Sequence, residues 1–374
     1  MTLRFWATTP FFHKDRSQSF RDVLLGQLDI AQAAEDLGFE GIIVPENHFQ
    51  NYLTNPSSVA VAAVIAAQTT RLKVHPGVIV LPYYHPLIVA SQMGLLEAIA
   101  PGRVSLGVAR GGSRLQFDRI GVPYDEARGR YEESLEIIQR AWVEDDLAYD
   151  GTYYSFPKST VVTKSDAPLD IWVAAQSVEG IRKVAEAGHN LATSPNWGHF
   201  EPHGDLDTLL GIYDTAVAES GKPRGQVMVM RHVWVGDTEE EALEYFDDIV
   251  NHSNHYMAVV QAGGENRNRT TQERLTRRVD GEIADFISEG WIDAKPIPRS
   301  KENMYENLND PIMTTPDRII ERFRHYESIG VDHLVVHQGW GQPVDAIIRN
   351  MEKLAAEVFP AFAEDTADSD AVVA

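Results

Sequence analysis

The sequence predicts an α/β fold, a (β/α)8 TIM barrel that forms a single domain with an insertion before the last strand. Two observations favour it: short β-rich runs alternate with amphipathic helical stretches, and eight such pairs occur along the 374 residues. A doubly wound open sheet is the alternative. That fold needs fewer pairs and a glycine-rich phosphate loop after its first strand, where this chain has Thr8 to Phe11.

The first four pairs fill residues 3–143. The predicted strands are Leu3–Thr8, Gly41–Val44, Leu72–Leu81 and Val104–Val108, and the predicted helices are Phe20–Leu37, Pro56–Thr69, Pro86–Ile99 and Glu126–Val143. Residues that commonly border helices mark these limits, with Gly38 after the first helix, Asn55 before the second, and Pro101 and Gly102 after the third. The alternation therefore has consistent boundaries.

The remaining pairs follow a hairpin predicted around Tyr149–Phe156. Their strands are Asp170–Ala174, Asn190–Thr193, Val227–Val235 and Asp332–His337, and their helices are Val178–Ala187, Leu206–Ser220, a helix after Thr238, and Val344–Val358. Thr238 with Glu241 three residues later is a capping-box pattern, which is typical of a helix start. We expect residues 1–362 to fold as one barrel.

Two segments stand outside this alternation. Residues 261–311 form an insertion of about fifty residues that begins with Gly263 and Gly264 and carries five arginines between Arg267 and Arg278. A loop this long is usually functional or disordered, and after the seventh strand it would lie over the mouth of the barrel. We expect a lid, and the alternatives are a solvated surface segment or a contact with a second copy of the chain. Residues 363–374 form an acidic tail that we expect to be disordered.

Charge and composition narrow the function classes. Lys and Arg total 33 against 55 Asp and Glu, a net charge of −22, which is unfavourable for binding nucleic acid or a membrane surface. The absence of cysteine excludes thiolate nucleophiles and iron–sulfur clusters, and we expect no metal site. The longest apolar run, Val59–Ala67, has nine residues, and no signal peptide is evident. We expect a cytoplasmic protein that acts on a small molecule.

Reactive side chains follow the predicted strands, and the strand ends of a barrel meet at one mouth. After the second strand, Glu46, Asn47 and His48 supply a carboxylate, an amide and an imidazole that exchanges protons near neutral pH. A capping or core role is the alternative for His48. We interpret these three residues as the candidate catalytic group.

A second group of residues suits an anion such as phosphate. Arg110 follows the fourth strand, Arg128 lies early in the next helix, and Gln176 and Ser177 precede the helix after the fifth strand. Guanidinium groups and the free N–H groups of a helix N-terminus both bind phosphate. The alternatives are a salt bridge for Arg110 and ordinary N-capping for Ser177.

Three short segments carry a resemblance to a known family. They are Glu46–Phe49, Ile79–Pro82 with His85–Pro86, and Gly102–Val104 leading to Arg110–Gly111. In their order and spacing the chain resembles the bacterial-luciferase-like, flavin-dependent monooxygenases. The resemblance covers residues 1–197 closely and residues 317–359 less specifically.

The resemblance implies a barrel of the luciferase-like type that binds reduced flavin mononucleotide (FMN) from a separate reductase, with dioxygen as co-substrate. It implies that His48 is the catalytic histidine, with Glu46 and Asn47 beside it. It also implies that the peptide bond between Gly77 and Val78 lies under the flavin ring, where some relatives have a cis bond. The implied cofactor-binding residues are Gly77, Val78, Leu81, Arg110, Arg128, Gln176 and Ser177.

The implied reaction is oxygenation of a small apolar, cyclic or aromatic substrate through a flavin C4a-peroxide. Luciferases have a histidine or similar residue at Asn47 and a cysteine at Ala109, so light emission is not implied. A deazaflavin (F420)-dependent oxidoreductase and a non-catalytic flavin-binding protein are the alternatives, and we expect a homodimer. The expected aromatic substrate pocket consists of Trp6, Phe11, Tyr52, Tyr83, Trp197 and Trp340.

Overall fold

The computed structural model describes residues 2–15, 17–51, 53–194, 205–249 and 311–363. The strands in these ranges are β1 (Arg4–Thr8), β2 (Gly41–Val44), β3 (Lys73–Pro76), β4 (Ile79–Val80), β5 (Leu106–Ala109), β6 (Leu147–Asp150), β7 (Ser155–Ser159), β8 (Ile171–Ala174), β9 (Asn190–Thr193), β10 (Val227–Val235), β11 (Ile312–Thr314) and β12 (His333–His337). The helices are α1 (Phe20–Asp36), α2 (Ser58–Gln68), α3 (Pro86–Ile99), α4 (Arg114–Ile120), α5 (Ala127–Val143), α6 (Val178–Ala187), α7 (Leu206–Ser220), α8 (Glu239–Ala242), α9 (Pro316–Ser328) and α10 (Val344–Glu357). Over the same ranges no helix has the length and apolar character to cross a bilayer.

The strands form a parallel barrel, which confirms the predicted fold. In the order β3-β2-β1-β12-β10-β9-β8-β5-β4 every neighbouring pair is parallel. The third barrel strand has two parts, of which β3 pairs with β2 and β4 pairs with β5. A bridge between Val74 and Val104 joins the two ends of the sheet. The C-terminal ends of the barrel strands therefore surround one mouth.

Most predicted elements agree with the structure, and the β6–β7 hairpin is antiparallel. One predicted strand is wrong in detail, because Leu72–Leu81 is interrupted between β3 and β4. The sequence pattern does not predict α4, whose seven residues are too few to show a clear helical period. It also omits β11 and α9, although α9 begins with a proline and buries Ile319, Phe323 and Tyr326 at helical spacing.

The insertion and the tail fall almost wholly outside the described residues. Of residues 261–311 the structure describes Pro311, and of residues 363–374 it describes Ala363. The lid and the disordered tail therefore stay predictions.

Alternate residues of each strand pack on opposite sides of the barrel wall. Phe5 belongs to the large core between sheet and helices, whereas Trp6 packs inside the barrel with Trp172. The Trp6 Nε1–H donates to His333 Nδ1 at 2.9 Å. Gly41 pairs with Trp6 in register, and the indole occupies the space that a Cβ on Gly41 would need. The barrel therefore accommodates this large ring because its neighbour on β2 has no side chain.

We expect Gly41→Ala to lower the free energy of unfolding by about 1–3 kcal/mol, because the new methyl group would overlap the Trp6 ring. It would also stand 2.8 Å from the Lys73 carbonyl oxygen, which the sheet holds in place. The matched control is Gly211→Ala in α7, where no atom lies within 4 Å of the added carbon. The control should be neutral or stabilise by about 0.5–1 kcal/mol. Urea unfolding measures both changes, and equal stability of the two variants would contradict this packing.

Buried histidines should make the stability depend on pH. Burial lowers the pKa of His75 to about 3 and that of His333 to about 4, whereas an unfolded imidazole has a pKa of about 6.5. Below pH ~6.5 the unfolded chain therefore binds protons that the folded barrel does not, and stability falls toward pH ~4. We expect His75→Gln to reduce this slope by up to about 1.4 kcal/mol per pH unit. Urea unfolding at several pH values tests this, and parallel curves for variant and wild type would refute it.

Candidate active site

His48 and Glu46, which follow β2, form a hydrogen-bonded pair at the mouth. His48 Nε2 lies 3.0 Å from Glu46 Oε1, and the two side chains are 14% and 2% exposed. A carboxylate accepts hydrogen bonds, so Nε2 carries the proton and Nδ1 is the acceptor of the neutral ring. Within the described residues the His48 side chain makes no other hydrogen bond. The pair therefore presents Nδ1 as a free proton acceptor.

The Glu46 carboxylate is held by neutral donors from neighbouring elements. Ser58 Oγ, at the start of α2, donates to Glu46 Oε2 at 3.4 Å, and the Tyr84 hydroxyl also hydrogen-bonds the carboxylate. Burial and the charge of Glu46 raise the pKa of Tyr84, and they raise the pKa of Tyr83 as well. Both phenols therefore stay protonated, and Tyr84 remains a donor to Glu46 at physiological pH.

Asn47 holds the loop that carries His48. Its Oδ1 accepts the His48 backbone N–H at 3.1 Å and also the side-chain amides of Gln50 and Gln116. The Asn47 side chain therefore fixes the backbone of the loop through these hydrogen bonds. Sequence reasoning missed Gln50 and Gln116, because Gln116 lies on the unpredicted α4 and an isolated glutamine carries no signal of its own.

The segment after β3 contributes to the same side of the mouth. The peptide bond between Gly77 and Val78 is cis, as predicted. Tyr83 places its ring edge-on to His48 at 5.8 Å, and its hydroxyl lies 3.5 Å from Gln116 Oε1. Leu81 is fully buried in the core beneath the segment, so its side chain faces away from the mouth. Tyr83 is thus the expected aromatic residue that the structure places beside His48.

The predicted anion-binding residues lie after β5 and β8. Arg110 is half-buried, and in the ranges that the structure describes no hydrogen bond or ion pair engages its side chain, so the salt-bridge alternative is wrong there. Arg128 is exposed and lies 3.3 Å from Glu179 in the first turn of α6. Ser177 caps that helix by accepting the Gly180 N–H at 3.2 Å. Gln176 Nε2 donates to the Ser194 carbonyl oxygen at 3.0 Å.

Two residues of the expected aromatic pocket are enclosed by the fold, and their role in a pocket stays a prediction. Trp6 is enclosed inside the barrel, and Phe11 is fully buried against Phe20. The inward direction of Trp6 in β1 and the burial of Phe11 in the segment after β1 both depend on tertiary packing. Tyr52 and Trp197 lie outside the described residues.

Sequence reasoning missed a cluster at the ends of β10 and β12. His337 Nδ1 lies 2.8 Å from Thr8 Oγ1, and the rings of His337 and His232 meet edge to face at 4.9 Å. Trp340, the remaining residue of the expected pocket, is fully buried beside them. Burial lowers the pKa of His337 to about 4, and it also lowers the pKa of His232 well below its ordinary value. Both rings are therefore neutral at physiological pH.

Comparisons with known proteins place this geometry in context. A family model described as luciferase-like monooxygenase matches residues 3–333. The oxygenase component of the flavin-dependent trigonelline monooxygenase of Acinetobacter baylyi is 25% identical over 370 residues, 96% of each chain. The F420-dependent glucose-6-phosphate dehydrogenase of Intrasporangium calvum is 23% identical over 344 residues, which are 89% of this chain and 93% of that protein.

A solved structure agrees in fold. The oxygenating constituent of 3,6-diketocamphane monooxygenase from Pseudomonas putida, a type II Baeyer-Villiger monooxygenase in complex with FMN, superposes with a TM-score of 0.73 at 19% identity, covering 97% of this chain and 99% of that one. Likeness at this identity shows the fold alone. The family model, in contrast, spans most of the sequence, from β1 to the first residue of β12. The chain therefore belongs to the luciferase-like monooxygenase family.

Proposed function

We propose that this protein is the oxygenase component of a two-component, flavin-dependent monooxygenase. It uses reduced FMN and dioxygen to oxygenate a small apolar, cyclic or aromatic substrate. The observation that carries the proposal is the presence at one mouth of a Glu46–His48 pair and a half-buried Arg110 that has no partner among the described residues. The trigonelline monooxygenase relative, which matches along nearly its whole length, supports the same activity.

The residues present fit FMN. A half-buried guanidinium without a carboxylate, as at Arg110, is suited to a phosphate, and the N-terminus of α6 supplies further donors. Arg128 is engaged by Glu179, but an exposed ion pair is worth only about 0–1 kcal/mol, so a phosphate can displace it. A Cβ at Gly77 would overlap the buried His75 ring, so the segment that precedes Val78 needs glycine at this position. These residues, with Val78, Gln176, Ser177 and the backbone of Leu81, form the proposed cofactor site.

Reduced flavin, when bound, supplies the electrons that activate dioxygen. The protein's own task is to bind the cofactor and to move one proton. His48 Nδ1 accepts or returns that proton, a contribution typically worth about 10²–10⁴-fold in rate. Glu46 keeps the imidazole in one tautomer and orientation, and Tyr83 covers one edge of the ring.

Two partners belong to this proposal. A separate reductase supplies reduced FMN, as the words "oxygenase component" in the name of the relative suggest for that protein. We also propose that the protein is a homodimer and lies in the cytoplasm. The dimer is supported by apolar side chains that α2 and α3 expose, with Val64 44%, Ile88 54% and Leu95 57% exposed.

An F420-dependent oxidoreductase is the second candidate, because several dehydrogenases of that kind match the chain. Titration with FMN and F420, each oxidised and reduced, separates the two. For the monooxygenase we expect reduced FMN to bind more tightly than F420, and we expect oxygen to be incorporated into a substrate. Trigonelline and 3,6-diketocamphane are the first substrates to test. Preference for F420 with oxygen-independent hydride transfer would overturn the proposal, and flavin binding without any coupled oxygen uptake would indicate a non-catalytic protein.

We expect Arg110→Ala to weaken FMN binding at least ~10-fold, because a charge-assisted contact to phosphate is typically worth about 1.5–3 kcal/mol. The FMN affinity of Arg110→Lys should lie between those of wild type and Arg110→Ala, since an ammonium keeps the charge but cannot make the bidentate contact of a guanidinium. The control is Arg140→Ala, which removes an exposed arginine near the C-terminal end of α5 that pairs with Glu144. Flavin fluorescence measures the three dissociation constants. An Arg110→Ala value equal to that of the control would remove Arg110 from the site.

We expect His48→Gln to leave FMN affinity within about threefold but to lower product formed per oxygen consumed by about 10²-fold or more. The lost oxygen should appear as hydrogen peroxide. Glu46→Gln should give a smaller loss and a shifted pH profile, because it keeps a hydrogen bond to the ring but removes the negative charge. Unchanged coupling in His48→Gln would make this histidine structural.

A further inference from the structure

The loop after β12 contains two buried N–H donors that have no acceptor. Trp340 Nε1 and Gln342 Nε2 lack a hydrogen-bond partner in the part of the chain that the structure describes, and these residues are 0% and 8% exposed. Gln342 Oε1 accepts the backbone N–H of Trp340 at 2.8 Å, which fixes the amide. Buried donors are nearly always paired in folded proteins, because desolvation without a partner is unfavourable. Two such donors on one short loop indicate a missing acceptor.

Aromatic rings surround the first of these donors. The ring of Trp340 lies 5.7 Å from Trp234, 5.8 Å from His232 and 6.4 Å from His337. Flat faces and edges of this kind pack well against a planar ring. The surroundings therefore suit a planar ring, with the Trp340 indole N–H available to an oxygen acceptor on that ring.

The strand order places this loop opposite the proposed flavin site. Around the barrel, β10 stands four positions from the β3–β4 strand and β12 stands four positions from β5. Four positions is half the circumference of an eight-stranded barrel. The loop after β12 thus faces Gly77, Val78 and Arg110 across the mouth, and a substrate held between them would reach the loop.

We propose that Trp340 and Gln342 bind an acceptor oxygen, a carboxylate or a carbonyl, on a planar substrate and so determine substrate specificity. This inference rests on the proposed function for its place in the reaction. The donors are neutral and fixed in a site closed to water, so a ligand oxygen gains hydrogen bonds without competition from solvent. A substrate without such an oxygen would leave both donors unpaired.

Three related probes test the assignment by calorimetry on the full chain with FMN present: trigonelline, its carboxamide analogue, and N-methylpyridinium, which has no acceptor. We expect trigonelline or the carboxamide to bind at least ~10-fold more tightly than N-methylpyridinium. The carboxylate and carboxamide arms distinguish the two oxygen sources. Equal affinity for all three probes, or no binding of any of them at millimolar concentration, would overturn the proposal.

Trp340→Phe should weaken the acceptor-bearing probe by about fivefold or more and change N-methylpyridinium less than about twofold, because it removes the N–H and keeps an aromatic ring. The matched control is Trp142→Phe, whose indole N–H donates to the Ala167 carbonyl oxygen on the outside of the barrel. It should leave all three affinities unchanged. If Trp340→Phe does not fold, Gln342→Glu carries the test. It keeps the oxygen that accepts the backbone N–H of Trp340 and replaces the side-chain N–H donor by a negative oxygen. Gln342→Glu should weaken the binding of trigonelline more than the binding of the carboxamide.

Equal effects of Trp340→Phe on every probe would show a packing role and overturn the assignment. FMN affinity, measured on the same samples, separates this result from the proposed function. Failure of the wild-type protein to bind FMN would contradict the proposed function alone. FMN binding without a difference in affinity between the probes would contradict only the acceptor site.

Discussion

The closure of the parallel sheet is the constraint on which the rest of the molecule depends. The third barrel strand pairs with β2 through β3 and with β5 through β4, and the Val74–Val104 bridge links the two ends of the sheet. Parallel strands that close in this way point their C-terminal ends in one direction. Residues far apart in sequence, such as His48, Arg110 and His337, are therefore brought to the same mouth without any direct contact between them.

Hydrogen-bond satisfaction divides the residues of this mouth into two kinds. The Glu46 carboxylate is almost fully buried, but His48, Ser58 and Tyr84 supply its donors, so the group is stable in the folded protein without a ligand. Arg110 and Trp340 differ, because their donors lack acceptors in the described structure. Satisfied groups hold the architecture, and unsatisfied groups indicate where a bound molecule supplies what the protein does not.

The same division assigns separate tasks to separate sectors of the barrel. In the proposed function, proton transfer belongs to the loop after β2, where Glu46 orients His48, and anion binding belongs to the ends of β5 and β8. The sector of β10 and β12 is lined by neutral imidazoles and indoles, since burial lowers the pKa of His337 and His232. The proposed anionic cofactor and the proposed planar substrate thus have distinct surroundings within one opening.

Much of this was readable from the sequence, because it depends on local pattern. The alternation of strands and helices predicts the barrel, and the residues that follow strands predict a candidate site with Glu46, His48 and Arg110. The cis peptide bond at Gly77 is implied by the family resemblance, which depends on contiguous segments with a characteristic order. The sequence also predicts which residues lie at strand ends, and hence which share the mouth.

Tertiary structure alone decided which way side chains point and which polar groups find partners. Trp6 and Phe11 lie near the end of β1 yet face the interior, because the space at Gly41 and the packing against α1 accommodate them. Gln116 reaches Asn47 from a helix too short to show a period, and Trp340 lacks an acceptor because of neighbours on β10. These properties depend on contacts between distant segments, whereas sequence periodicity reports only how each segment is buried along its own length.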